Sequence, residues 1–222
     1  MDGRGFIIDI SPELSCEVAV FPGDTPMSRH ILMDTERGDT ITLSTLRTTV
    51  HVGSHADAPS HYAKGGQTID QIDLAWYIGP CVVVEVSDRV RRTPAGVRVA
   101  VDDLIGKAAR GIDAITRPRV LIKTMTQPDK RVFGGDFAGL EPALVGALAA
   151  KGVTTIGIDT PSVDVAESKD LPAHAAFHEQ GVVIIEGLVL DRVEPGEYEL
   201  IALPLKLIGF DASPVRAVLR PI

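Results

Sequence analysis

The chain has 222 residues, of which 45% are hydrophobic and 23% charged, as in a globular protein that can bury a full core. Its 22 basic and 30 acidic side chains give a formal net charge of −8, which argues against nucleic-acid partners and against a polybasic membrane anchor. Two cysteines are too few for a disulfide scaffold, and no signal peptide or membrane-length apolar stretch is visible, so we expect a cytoplasmic protein without a membrane partner.

Short strands and a few helices alternate along the chain. Apolar runs bounded by turn residues predict strands at residues 6–10, 40–50, 81–86, 119–124, 154–159, 182–186, 199–203 and 215–219. Helices are predicted over 101–110, 141–150 and 173–180. The glycine- and proline-containing segment 51–67 is predicted to be irregular. No linker or repeat divides the sequence, so we expect a single α/β domain over residues 1–222.

Three of the six histidines fall within eleven residues, in the pattern His51, His55, Asp57 and His61. Imidazole and carboxylate groups are ligands that zinc and manganese accept, and the two oxygens of Asp57 allow it to bridge two ions. His61 follows a proline and is interpreted either as a further ligand or as an acid–base group, because an unperturbed imidazole titrates near pH ~6.5. The cluster therefore predicts a metal site on a loop after a strand.

A second group of candidate ligands lies more than a hundred residues further along the chain. His174 begins a predicted helix, and Glu186 ends an apolar strand, where a buried, unpaired carboxylate would be costly. A metal ion or a basic partner would remove that cost. Two interpretations are therefore open: His174 and Glu186 complete a second metal site with Asp57, or they are a histidine on a helix surface and a glutamate at a strand end. His30 and His178 are given no role.

Residues 51–61, with the sequence HVGSHADAPSH, resemble the H-x-G-T-H-x-D-x-P-x-H signature of the cyclase-type metal-dependent hydrolases. The FPGD segment at 21–24 resembles that family's early aromatic-Pro-Gly-Asp segment. The later part of the chain is similar to the bacterial kynurenine formamidases, or arylformamidases, at residues 157–164, 167–169, 173–174, 185–188, 198–206 and 211–217. The resemblance implies a swivelling β/β/α domain with a β-barrel-like core that assembles as a homodimer or homotetramer.

The resemblance also implies two divalent metal ions, zinc in the first place with manganese as the alternative. His51, His55 and Asp57 would hold the first ion. Asp57 would bridge to the second, which His174 and Glu186 would also bind.

Two further residues take roles from the resemblance. His61 would be the catalytic proton carrier, and Phe21 stands where the formamidases usually carry a tryptophan in contact with substrate. The implied reaction is the hydrolysis of an aryl formamide, N-formyl-L-kynurenine, to L-kynurenine and formate in tryptophan degradation.

Other functions are compatible with the same residues. A related hydrolase could open a cyclic amide or imide such as isatin with the same ligands. A non-catalytic, metal-dependent binding protein is a second alternative, although it would not need His61. A structural zinc site is disfavoured because such sites prefer four protein ligands, often cysteines, and no cysteine lies near the cluster.

Overall fold

The computed structural model describes residues 6–93, 96–104 and 112–222. The strands in these ranges are β1 (Ile8–Asp9), β2 (Ser28–Met33), β3 (Leu43–Arg47), β4 (His55–Asp57), β5 (Ile78–Glu85), β6 (Arg91–Thr93), β7 (Gly96–Val99), β8 (Arg119–Lys123), β9 (Gly139–Leu140), β10 (Thr155–Ile158), β11 (Val183–Glu186), β12 (Gly196–Ile201), β13 (Ala212–Pro214) and β14 (Val218–Pro221). The α-helices are α1 (Pro59–Tyr62), α2 (Pro142–Ala150) and α3 (Pro172–Gln180). Short 3₁₀ turns cover Thr35–Arg37, Ile69–Gln71, Leu74–Trp76, Val101–Leu104 and Ile112–Ala114.

Nine of these strands form one curled sheet, a half-barrel, in the order β1-β14-β12-β5-β8-β10-β11-β4-β13. The four central strands, β5, β8, β10 and β11, run parallel, and the outer pairs are antiparallel. Two small sheets, β2-β3 and β6-β7-β9, stand apart from it. The α/β architecture with a barrel-like core agrees with the expected fold class.

Both faces of the central strands are buried, which explains why they read as unbroken apolar runs in the sequence. Successive side chains point to opposite faces, so Val82 and Val84 of β5 join one core cluster while Cys81 and Val83 join the other. The first cluster includes the apolar side chains of α2 and α3, so these two helices cover that face of the sheet. No helix in the described ranges is long and apolar enough to cross a membrane.

Most predicted elements are present with boundaries shifted by a few residues, but three predictions need correction. The strand predicted over 40–50 spans only Leu43–Arg47, because the Thr49 amide donates to the Thr25 carbonyl instead of continuing a ladder. The segment predicted to be irregular contains β4 and α1, since β4 is held by antiparallel partners on both sides. Of the helix predicted over 101–110, Val101–Leu104 forms a 3₁₀ turn and the remainder lies outside the described residues.

Candidate metal centre

The sheet register places three of the predicted ligands side by side. In the antiparallel pair β4–β11, His55 lies opposite Glu186 and Asp57 lies opposite Ile184. Because side chains alternate along a strand, His55 and Asp57 share one face while Ala56 between them packs into the core on the other. Glu186 is the last residue of the parallel strand β11. It therefore lies at the carboxyl ends of the parallel strands, where α/β proteins usually bind ligands.

A close contact between two glycines brings the turn before β4 against the end of β11. Gly187 has a φ of +69°, and a Cβ on it would lie 2.1 Å from the carbonyl oxygen of Gly53. Gly53 itself has a φ of +59°, a left-handed conformation that favours glycine. The Ser54 hydroxyl donates to the Gly187 carbonyl over 3.0 Å. These contacts fix the backbone that carries His51 and His55.

Asp57 lies at the centre of the group and is 2% exposed. Its Oδ1 is 3.0 Å from His51 Nδ1 and 3.5 Å from His55 Nε2, and its Oδ2 is 3.5 Å from His174 Nε2. Both oxygens contact imidazole nitrogens, but neither makes a hydrogen bond of good geometry with any residue that the structure describes. A buried carboxylate in this state is costly unless a cation is near it. Its two oxygens face different histidines, as a bridging ligand would require.

Two of these histidines are fixed by their second ring nitrogen. His55 Nδ1 donates to the Gly53 carbonyl over 3.0 Å, and His174 Nδ1 donates to Asp164 Oδ2 over 2.8 Å. The nitrogen that remains, Nε2 in both rings, faces the carboxylates of the site. Metal-ligating histidines are held in this way by a carbonyl or carboxylate, which sets both the tautomer and the ring orientation.

Glu186 closes the buried side of the site. Its Oε2 lies 3.2 Å from His55 Nε2, and its Oε1 lies 3.7 Å from His174 Nε2. Oε1 also accepts a hydrogen bond of 2.7 Å from the Val163 amide. The structure therefore brings all five predicted metal ligands together, although His174 and Glu186 are distant in sequence from the other three.

His61 reaches the site from the solvent side, on the short helix α1. Its side chain is 33% exposed, and its ring centroid lies 4.2 Å from that of His51. His61 Nδ1 is 3.3 Å from Asp211 Oδ2, and the same oxygen is 3.0 Å from His51 Nε2. One ligand atom each of His61, Asp57 and His174 lie within 4.8 Å of one another, so proximity alone allows His61 to be either a ligand or an acid–base group.

The carboxylates of the site stabilise positive charge on or beside the imidazoles, whether it is carried by protons or by another cation. Burial lowers the pKa of His51, but its contacts with Asp57 and Asp211 outweigh burial and raise the pKa to about 9. Burial likewise opposes a charge on His174, whereas Asp164 and Asp57 raise its pKa to about 10. Burial raises the pKa of Asp57, but the imidazoles around it hold that pKa well below the usual range.

These observations fit a divalent cation. Neutral imidazoles and carboxylates are hard-to-borderline ligands suited to zinc or manganese, and a cation would satisfy the unbonded oxygens of Asp57. His51, His55 and Asp57 are close enough together to hold a metal ion, and so are Asp57, His61 and His174.

A cavity of about 690 Å³ opens onto this group. Phe21 lines it, as do Phe133 and Phe137, which sequence reasoning missed. The ring centroids of Phe21 and Phe133 are 5.4 Å apart and those of Phe133 and Phe137 are 5.6 Å apart, both edge to face. An aromatic wall thus lies beside the candidate metal ligands, and it offers a surface for a flat ring.

Sequence reasoning also assigned no role to Asp164 and Asp211, which orient His174, His51 and His61. Both lie in segments that resemble the formamidases, but no local spacing connects them to the histidines they contact. The remaining histidines are outside the site. His30 is exposed on β2, and His178 is exposed near the end of α3.

Comparison with known proteins agrees with the observed fold and identifies the family. One solved structure, of a "potential metal-dependent hydrolase with cyclase activity", is 28% identical, with a TM-score of 0.77 over 96% of each chain. A second, of a "predicted metal-dependent hydrolase from Bacillus stearothermophilus", is 27% identical, with a TM-score of 0.76 over 98% of each chain. Isatin hydrolase A from Labrenzia aggregata is 21% identical and shares the fold, with a TM-score of 0.79 over 99% of this chain and 94% of that one. Residues 8–165, more than half of the sequence, match the model of the family described as "Putative cyclase", and the chain therefore belongs to the Cyclase family.

Proposed function

We propose that this protein is a metal-dependent hydrolase that cleaves the formyl C–N bond of an aryl formamide, with N-formyl-L-kynurenine as the substrate. The observation that carries the proposal is the buried Asp57 carboxylate, which is surrounded by histidine nitrogens and makes no hydrogen bond of good geometry with any residue in the described ranges. The two relatives named as metal-dependent hydrolases support the general reaction class. The formamidase-like segments in the later part of the chain support the substrate.

In the proposed reaction the five candidate ligands would hold the metal, and His61 would transfer a proton. Bound divalent ions supply Lewis acidity and lower the pKa of water that they bind. In the overall reaction a water oxygen joins the formyl carbon, the C–N bond breaks, and the leaving nitrogen must take up a proton because an anilide anion is a poor leaving group. His61 can deliver that proton from Nε2, since Asp211 faces Nδ1 and holds the ring.

The cavity supports an aryl substrate. Phe21 is 57% exposed and stands at the cavity wall with its ring against Phe133, so a flat ring can pack against it. A phenylalanine in place of tryptophan keeps the aromatic face and loses the indole N–H donor. We therefore propose that Phe21 binds the substrate through packing and not through a hydrogen bond.

The test is hydrolysis by the purified protein after metal removal with a chelator and re-addition of zinc or manganese. We expect formate release from N-formyl-L-kynurenine to fall to background without metal and to return with it. Undiminished activity in the metal-free protein would contradict metal dependence. A panel that includes isatin separates the alternatives, because ring opening of isatin without formamide hydrolysis would replace the proposed substrate, and no hydrolysis with intact metal binding would favour a binding protein.

We also propose that the protein is a homo-oligomer. The β2–β3 hairpin stands apart from the main sheet, and Leu32, Ile41, Leu43 and Leu46 on or beside it are at least 45% exposed. A free two-stranded hairpin is marginally stable in water, so a second copy packed on it would bury these side chains. Light scattering should give at least twice the monomer mass, and Leu46→Lys should reduce it. A monomeric wild-type protein would contradict the proposal.

A further inference from the structure

The wall of the cavity carries two lysines, Lys130 and Lys169, outside the group of metal ligands. Lys130 is half-buried, and its ammonium donates to the main-chain carbonyl of Asp159. Within the described ranges it forms no ion pair with a carboxylate. An ammonium has three donors and one is used here, so two remain for a ligand.

The main-chain carbonyl of Asp159 accepts from Lys130, but the Asp159 carboxylate does not contact the ammonium and so does not pair with its charge. Its carboxylate is buried and accepts hydrogen bonds from the Thr124 amide, the Thr124 hydroxyl and the Met125 amide, at distances of 2.7–3.1 Å. That carboxylate thus fixes the start of the loop that leads to Lys130. Burial lowers the pKa of Lys130 more than the longer-range attraction of Asp159 and Asp191 raises it. The nearby carboxylates therefore do not fully offset the cost of burying the charged ammonium.

The surroundings of Lys130 are partly apolar, so a bound anion would stabilise its ammonium group. The same loop places Phe133 and Phe137 on the cavity wall, and the Lys130 carbonyl accepts from the Ala19 amide, which joins the loop to the segment before Phe21. An amine held in a partly apolar cavity gains from a charged acceptor, because charge-assisted hydrogen bonds are about twice as strong as neutral ones. A ligand that enters this cavity with a carboxylate would provide that acceptor.

We propose that Lys130 is a specificity-determining residue that binds a carboxylate on the substrate, with Lys169 as a second cation at the exposed edge of the cavity. The inference rests on the proposed function and narrows it to aryl amides that bear an anionic substituent. The amide would lie at the metal ligands, the ring against the phenylalanines, and the carboxylate at Lys130.

The test compares two substrates that differ only in the carboxylate, N-formyl-L-kynurenine and N-formylkynuramine, on the metal-loaded protein. Wild-type protein should prefer the carboxylate-bearing substrate in kcat/KM by about 10- to 100-fold, the range expected for a hydrogen bond between charged groups. Lys130→Gln should remove most of this preference, and Lys130→Arg should retain part of it. Lys151→Gln, which removes a charge from the surface ion pair with Asp113, is the matched control and should leave the preference unchanged.

Comparing the two substrates separates recognition from a structural role, since damage to the loop would lower both kcat/KM values together and leave their ratio intact. Equal kcat/KM values in the wild type, or an unchanged ratio in Lys130→Gln, would overturn the inference while the hydrolase proposal stands. Calorimetric binding of L-kynurenine and kynuramine gives an independent measurement. A tenfold preference for L-kynurenine that depends on Lys130, without hydrolysis of either formamide, would support the carboxylate site and contradict the proposed reaction.

Discussion

Asp164 should control metal affinity although it is not one of the proposed ligands. It is fully buried, and it accepts hydrogen bonds from the Ala173 amide, the His174 amide and His174 Nδ1, at 3.1, 3.1 and 2.8 Å. It therefore anchors the start of α3 and orients the His174 ring at the same time. The substitution Asp164→Asn keeps the shape of this side chain and removes its charge.

The magnitude follows from the two carboxylate oxygens. If the amide oxygen of the asparagine takes the place of Oδ2, both contacts with His174 survive, but the NH₂ group then faces the Ala173 amide, so the Ala173 amide loses its acceptor and the NH₂ group gains none. That should cost about 1–3 kcal/mol of folding stability. The neutral amide also makes His174 Nε2 less basic, and loss of such a partner typically weakens metal binding by about 10- to 100-fold, or about 1.4–2.8 kcal/mol.

Two measurements separate these effects. Metal affinity is obtained by competition with a chromophoric chelator for zinc, and folding stability by urea unfolding of the metal-free protein. The exposed Asp113→Asn serves as the control and should change neither by more than about 0.5 kcal/mol. Unchanged zinc affinity in a folded Asp164→Asn variant would refute the assignment of His174 as a ligand held by Asp164.

Three further outcomes are expected. His61→Ala should lower kcat by about 10²- to 10⁴-fold with metal content unchanged, as for a lost acid–base group, whereas loss of metal on the same change would identify His61 as a ligand. In the metal-free protein the pKa values of His51 and His174, about 9 and about 10, lie above 7, so both imidazoles hold protons at pH 7 that metal must displace. Calorimetry in buffers of different ionisation enthalpy should therefore show proton release on zinc binding at pH 7 that declines as the pH rises through 9 to 10, and the absence of release would contradict protonated histidines. Gly187→Ala should destabilise the protein by about 1–3 kcal/mol in urea unfolding because of its left-handed φ and the nearby backbone; Gly209→Ala, with a similar φ and open space around it, isolates the effect of the contact.

Much of the candidate site could be predicted from the residues alone. Three histidines and an aspartate within eleven residues indicate metal binding whatever fold surrounds them, because few other roles need that combination. The cost of a buried carboxylate at the end of an apolar strand is likewise a local argument, and it drew attention to Glu186, which the structure places beside His55. The apolar runs of the parallel strands were equally clear, since both of their faces are buried.

The sequence by itself therefore determined the kind of chemistry the chain can support and the elements of its central sheet. Only the tertiary structure decided which distant groups meet. Pairing of β4 between β11 and β13 turned a glycine- and proline-containing segment into a strand, and that register set Glu186 beside His55. The contacts of Asp164, Asp211 and Lys130 depend on long-range packing, which has no periodicity to reveal it. Such contacts arise from the folding of the whole chain, and so no short pattern could have predicted them.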